Sequence, residues 1–466
     1  MHVIDRVDHD GMARSVLERQ MYSVDTGGYR TSDFKYHWKP WELPVLASRI
    51  DRFDLYSQRS ILQYPFLPHR FENDTAFGIG ATPLTKLHNL SAYYAIDLRV
   101  KCEHMNPSGS FKDRETLIAS LYSKEHGDKI AVGFSSGNAT CSAAYVSRMM
   151  GQKFVAVVSG DIYPEKLGYI LDQGVDVIKI GNDACYFERA YQTYIQAKNY
   201  LEFQFNGIDD WSVANPYRVE GNKTMAVEIV KQMGELSDNS YNSPDFIILP
   251  TANGSCLSGL WKGFCELHKL GVIKRLPRMV SVGVENASPL NEGFLNNAIL
   301  QKAKCDLQYV DEADMKIGST LIAEESYDFF YGVKALRDSN GLVYQGNASD
   351  IREAYTKLFQ YEVDCMLTDD LVPEPCSMLT LGALEKMARQ GVLQPGHSVV
   401  VISTGHGYKS RHLINRLGLS EPVRASLNQS LDENRRFDYQ HDVRGRLIES
   451  SENPGVLAKE LYNLIF

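Results

Sequence analysis

The chain has 466 residues and a formal net charge of −9, from 49 Lys and Arg against 58 Asp and Glu; 44% of residues are hydrophobic and 23% charged. That length holds two domains. The acidic balance argues against general nucleic-acid binding and leaves no polybasic membrane segment, and no apolar run approaches the roughly 20 residues of a membrane-spanning helix. The eight cysteines, at 102, 141, 185, 256, 265, 305, 365 and 376, form no C-x-x-C and have no His-x-x-x-His beside them. Neither a zinc site nor a disulfide framework is expected, so no metal is assigned. Met1 to Arg14 is polar and acidic without an apolar core, which reads as a cytoplasmic chain rather than a secreted one.

In chain order, residues 1–75 form an irregular N-terminal extension rich in Tyr, Trp and Pro. Ala81-Thr-Pro-Leu84 opens the organised part. Leu98–Cys102 alternates as a strand and leads into Asn106-Pro-Ser-Gly-Ser-Phe-Lys-Asp-Arg114. Pro107 fixes the turn, and Phe111–Tyr122 has helical periodicity. Ser110 is the expected N-cap, with Asp113 three residues on as in a capping box. Lys112 thus falls in the first helical turn, where the positive end of the helix dipole favours its neutral, nucleophilic form. On these residues alone, Lys112 is either a Schiff-base lysine or a surface lysine on a capped helix.

From 129 to 205 the period switches regularly. Strands are expected at 130–134, 154–158, 175–180 and 201–205, with helices at 139–150, 164–173 and 184–198. Beyond 243 the alternation resumes: strand 245–250, helix 257–270, strand 280–284, helix 350–361 capped by Ser349, helix 377–390 and strand 398–403. Alternation of this kind predicts an α/β chain with doubly wound domains. Their ligands bind outside the carboxyl ends of the strands.

Three further loops of small polar residues lie at such ends. Ser135-Ser136-Gly137-Asn138 and Asn253-Gly254-Ser255-Cys256 each precede a helix and suit a phosphate or carboxylate. Thr404-Gly-His-Gly407 places a hydroxyl after the last strand. Neither glycine loop fits a Walker loop or G-x-G-x-x-G. Near a fourth helix start, Asn215, Arg218 and Lys223 form a local basic group suited to an anionic substrate, with Arg218 offering a bidentate fork.

The order of these stretches resembles the fold-type II family of pyridoxal-phosphate enzymes, and within it the threonine synthases. Asn106–Arg114 is similar to N-P-[ST]-G-S-[FY]-K-D-R, Ser135–Asn138 to S-[ST]-G-N, Glu374-Pro-Cys-Ser377 to E-P-[AS]-S and Thr404–Lys409 to T-G-H-G-L-K. Gly78–Leu84 resembles G-E-G-x-T-P-L, with Ile79-Gly80 altering it. The resemblance implies two doubly wound domains with the cofactor, pyridoxal 5'-phosphate, in the cleft between them. It implies a large domain of 76–122 and 222–420, a small substrate domain of 123–221, and a tail from 421 to 466. It also implies a homodimer.

By the same resemblance Lys112 is the catalytic lysine that joins the cofactor, and Asn138 faces the cofactor's phenolic oxygen. Asn253, Gly254, Ser255, Cys256 and Leu257 cradle its phosphate, and Thr404 faces the ring nitrogen. Ser110, Ser135, Ser136, Gly137, Asn215, Arg218 and Lys223 hold the substrate. Threonine synthases show N-S-x-N-P-x-R-x-x-G-Q-K-T; here Ser212 and Val213 stand at the Asn-Ser pair, Asn222 replaces the Gln, and Ala252 stands where the cofactor loop usually has glycine. The implied reaction is conversion of O-phosphohomoserine to threonine. Replacement at Cβ of O-phosphoserine by an external nucleophile as in cysteate synthases, a specialised biosynthetic paralogue, and a cofactor-binding regulatory protein without turnover remain open alternatives.

Overall fold

The computed structural model describes residues 49–50, 53–55, 57, 59–64, 67, 74–125, 130–135, 137–181, 216–237, 240–297, 303–318, 320–326, 328–433, 445–449 and 453–465. The expected helix 184–198, strand 201–205 and residues Ser136, Ser212, Val213 and Asn215 lie outside them, as does most of 1–75. The strands are β1 (Leu84–Lys86), β2 (Asp97–Lys101), β3 (Ile130–Phe134), β4 (Lys153–Ser159), β5 (Asp176–Ile180), β6 (Phe246–Pro250), β7 (Arg278–Val284), β8 (Leu342–Gly346), β9 (Ser398–Ile402) and β10 (Leu447–Glu449). Five helices matter below: α1 (Lys112–Glu125), α2 (Asn138–Met150), α3 (Pro216–Met233), α4 (Ser255–Lys269) and α5 (Pro454–Ile465).

The strands make two sheets, in orders β1-β2-β9-β6-β7-β8 and β10-β5-β4-β3. Every pairing is parallel except β1 with β2. The apolar runs explain this arrangement. A strand with no polar face must be covered on both sides, and parallel sheets in α/β chains are. Leu98, Val100, Phe246, Ile248, Val399 and Val401 pack one way, against helices Ala348–Thr368 and Pro375–Arg389. Their neighbours Ile247, Leu249, Val400 and Ile402 pack the other way, against α3 and α4. In the smaller sheet Val132, Val155, Val157 and Ile178 meet Leu457, Leu461 and Leu464 of α5. The segment beyond 421 therefore supplies an edge strand and a covering helix to the small sheet.

Two local expectations change. The helix expected from Asp350 begins at Ala348, and its cap is Asn347, which with Asp350 forms a complete capping box; Ser349 is already helical. Helix α3 begins at Pro216, so Arg218 and Lys223 lie inside it rather than around its start. At 100° per residue, five positions put them about 140° apart, on different faces. Strand β8 and the helix Phe329–Asp338 carry no expectation from sequence; β8 is an edge strand, half-buried at four of five positions, with no continuous apolar run.

Helix α1 joins the two sheets, and α3 crosses it in near contact. A Cβ at Gly221 would lie 2.1 Å from the Arg114 carbonyl oxygen, which is why a helix interior keeps a residue that costs about 1 kcal/mol against alanine. Gly221→Ala is expected to force the crossing apart at a cost of roughly 1–3 kcal/mol, read as a lower denaturant midpoint; an unchanged midpoint would refute the close crossing.

A buried charge cluster fixes the same junction. Arg114 donates to both oxygens of Glu103 (2.7 and 2.8 Å) and both of Glu228 (2.8 and 2.7 Å), and to Thr224 at 3.1 Å. Lys101 donates to Glu228 at 2.7 Å and to the Thr82 carbonyl at 2.6 Å. All four charged side chains are fully buried, two of each sign.

Candidate active site

The lysine loop is tied down from every side. Asn106 accepts from the Gly80 N–H at 2.9 Å and donates to Glu103 at 2.8 Å. Lys409 donates to the Ser108 carbonyl at 2.6 Å. The Phe111 N–H donates to the Thr404 carbonyl at 3.1 Å, and the His406 N–H to the Gly109 carbonyl at 2.9 Å. Asp113 accepts from the N–H of Ser108 at 2.8 Å and from its hydroxyl. The expected Ser110–Asp113 capping box is thus replaced by a Ser108–Asp113 clasp, because the loop folds back far enough to offer Ser108 to the carboxylate. The Ser110 hydroxyl is left buried without a partner.

Lys112 is the first residue of α1. Burial pushes its ammonium below the ordinary range; Glu115 opposes that shift and Arg218 adds to it. Its Nζ donates to Glu115 Oε2 at 2.9 Å and lies 4.4 Å from the centre of the Phe111 ring. Glu115 is fully buried and accepts four bonds. Arg218 donates to the same oxygen as Lys112; Asn222 Nδ2 donates to the other at 2.7 Å, and Ser255 Oγ at 3.1 Å. These partners hold its carboxyl at about 2 despite burial. Arg218 and Asn222 are four residues apart and share a helix face. Lys223 points elsewhere, fully buried against Glu220 and Glu266 with Tyr64 beneath it, so the structure does not bring it to Lys112.

Ser255 opens α4, whose N-terminus follows the carboxyl end of β6. Gly254 has φ +99°, and a Cβ there would meet Leu290 at 2.8 Å and the Asp328 carbonyl at 3.1 Å. The Asn253 carbonyl accepts from the Asp328 N–H at 2.9 Å and the Ser326 hydroxyl at 2.7 Å. This fixes the turn while leaving Asn253 Oδ1 buried and unpartnered. Cys256 and Leu257 are buried behind it, and burial raises the Cys256 thiol far above its ordinary value, so it stays neutral.

On the other side, Asn138 Nδ2 donates to the two oxygens of Glu374 at 3.2 and 3.0 Å, and its Oδ1 is buried without a partner. Glu374 also meets Thr404 Oγ1 at 3.4 Å, and Thr404 Oγ1 lies 2.9 Å from Ser377 Oγ. Ser135 accepts from the Gly137 N–H at 3.1 Å, shaping the turn into α2. Bonds therefore link these residues into one set: Glu115 joins Lys112 to Ser255, Glu374 joins Asn138 to Thr404, and the Thr404 carbonyl accepts from the Phe111 N–H. The loops after β2, β9 and β6 are neighbours because β9 lies between the other two.

Three residues of this set and its loops carry a buried polar atom without a partner: Ser110 Oγ, Asn138 Oδ1 and Asn253 Oδ1. Together with a helix N-terminus that bars a side chain at Gly254, they fit a flat polar group that carries a phosphate. The family model for "Pyridoxal-phosphate dependent enzyme" matches residues 75–405. The chain belongs to the fold-type II pyridoxal-phosphate enzymes.

Its relatives agree. A threonine synthase of Methanocaldococcus jannaschii is 29% identical over 76% of this chain and 80% of its own length. One from Synechocystis sp. is 31% identical over 71% and 77%. Among solved structures, threonine deaminase isoform 2 from Solanum lycopersicum aligns with TM-score 0.57 at 15% identity, covering 82% of this chain and 95% of its own. Diaminopropionate ammonia lyase from Escherichia coli aligns with TM-score 0.57 over 83% and 94%. The cofactor is pyridoxal 5'-phosphate, and no described helix is long and apolar enough to cross a membrane.

Glu115, Asn222 and Ser377 escape assignment from sequence, and so does Glu374 as a contact of Asn138. An acid in a first helical turn is ordinary dipole chemistry, so nothing in the sequence separates Glu115 from a solvated one. Glu374 and Ser377 stand in a motif, E-P-C-S, that does announce itself.

Proposed function

We propose that the chain converts a phosphorylated amino acid, best read as O-phosphohomoserine, to threonine and phosphate by eliminating the phosphate and adding water at Cβ. The observation that carries this reading is that Lys112 and Arg218 meet on the one carboxylate of Glu115. A cationic fork suited to phosphate thus lies a single shared side chain from the lysine. The similarity to threonine synthases supports the same reading.

When bound, pyridoxal phosphate supplies an electron sink for the substrate's α-carbon. Lys112 anchors it, then as a released amine moves protons at Cα and Cβ. Ser110 and the 135–138 turn orient the substrate carboxylate. Arg218 orients the leaving phosphate. Thr404 offers a hydroxyl rather than a carboxylate to the ring nitrogen, which leaves that nitrogen largely unprotonated and favours elimination over transamination.

A second reading, replacement at Cβ of O-phosphoserine, is favoured by one observation. Asn222, which stands where threonine synthases have Gln, is bonded to Glu115 and so changes the surroundings of Arg218. Free phosphate measured with each substrate in turn separates the two. Release from O-phosphohomoserine, with threonine formed, is expected; release from O-phosphoserine alone rejects the threonine reading. Release from neither leaves a protein that binds pyridoxal phosphate without turnover.

A further inference from the structure

Glu115 is a buried carboxylate for which the reaction above needs no role. Burying it uncompensated would cost several kcal/mol, and a helix dipole does not require it to point inward. Its two oxygens are held from three elements: Lys112 on α1, Arg218 and Asn222 on α3, and Ser255 on α4. Carboxylate and lysine sit three residues apart on one helix face, so α1 keeps the two side chains within bonding reach of each other.

We propose that Glu115 is the positioning residue for Lys112, holding its ammonium in the cofactor-free protein and again once the released amine has taken up a proton. This rests on Lys112 being the lysine that joins the cofactor. Before it can do so, Lys112 gives its proton to solvent; the neutral nitrogen then bonds to the cofactor's carbonyl carbon, and the carbonyl oxygen leaves as water. Glu115 opposes the first step and so sets the pH at which the lysine is captured. After release, the neutral amine takes a proton from Cα, and Glu115 holds the resulting ammonium in the same place to give that proton back.

The titratable groups that act most on Lys112 are Glu115 from its own helix, Arg218 from α3 and the neutral thiol of Cys256 from α4. Removing the Glu115 charge leaves Lys112 facing a cation. The amine then becomes neutral at lower pH, and capture begins at lower pH.

The test uses full-length protein stripped of cofactor and reloaded with pyridoxal phosphate across a pH series, followed by the visible absorbance of the lysine-bound form. Glu115→Gln is expected to shift the midpoint of capture downward by about one pH unit, a tenfold change in neutral fraction. Glu115→Asp, with its carboxylate drawn back, falls between. A midpoint unchanged in Glu115→Gln overturns the proposal, as does weaker loading at every pH with no shift, which would mean that Glu115 serves only Ser255. Should Glu115→Gln fail to fold, the rate at which an amine-selective reagent labels Lys112 against pH, wild type beside Glu115→Asp, gives the same reading: an identical profile in the two overturns it. Borohydride-trapped cofactor on a lysine other than Lys112 overturns the assignment of Lys112 itself, independently of any Glu115 result.

Discussion

Lys112→Ala is expected to abolish the visible absorbance of the lysine-linked cofactor and to lower turnover on the order of 10³-fold, the middle of the range for losing a positioned general acid–base. The fold should survive. Glu115 keeps Arg218, Asn222 and Ser255, so no carboxylate is stranded. Pyridoxal phosphate should still bind, through the turn at Gly254 and the N-terminus of α4, but without a covalent link. Borohydride reduction followed by peptide mapping gives the sharper result. In the wild type the reduced adduct is expected on Lys112. The informative competitor is Lys409, the other lysine bonded to this loop; an adduct there would remove Lys112 from the centre of the chemistry. Burial lowers the pKa of Lys409 too, so a lowered pKa alone does not choose between them. Exposure does, since Lys409 is fully buried while the Lys112 side chain stays 21% exposed.

The second large effect concerns stability. Arg114→Met leaves Glu103 and Glu228 buried with Lys101 as the remaining cation of the cluster. Breaking a buried charge cluster from one side costs about 3–5 kcal/mol, against total stabilities of roughly 5–15 kcal/mol. A sharply lowered denaturant midpoint is expected, with less holoenzyme on expression. Arg114→Lys should not restore it, because an ammonium cannot pair bidentately with two carboxylates. The pH dependence has a definite sign. Arg114 and its neighbours hold Glu228 down at about 2, from an ordinary value of 4.5. The stabilisation is therefore complete above that ordinary value and is lost as the pH falls toward 2. In the variant the carboxylates protonate more readily, so the gap from wild type narrows on acidification. A gap that stays constant with pH would place the loss in packing instead.

Much of the site is legible in the chain because its parts are loops of small polar residues at strand ends, a pattern that plain turns share but do not repeat four times in order. What the chain does not carry is neighbourhood. Strand β9 is made late yet inserts between β2 and β6, so the loop of Thr404 comes to lie between the lysine loop and the 253–257 turn. No local signal encodes that order. Arg218 and Lys223 show a second limit: a basic pair close in sequence is separated by the helix that carries it, one member reaching Glu115 and the other a different ion cluster. Glu115 shows a third, since burial is invisible until α3 and α4 close over it.

The edge strand β10 pairs with β5 only after the whole of the larger sheet has been passed through the ribosome. At roughly 5–20 residues per second, the nascent small sheet waits on the order of tens of seconds with that edge of β5 unpaired and one apolar face uncovered by α5. An unprotected parallel edge of this kind is a template for pairing with other chains. Expression yield in this protein should therefore depend on chaperone supply during synthesis more than on the stability of the finished fold.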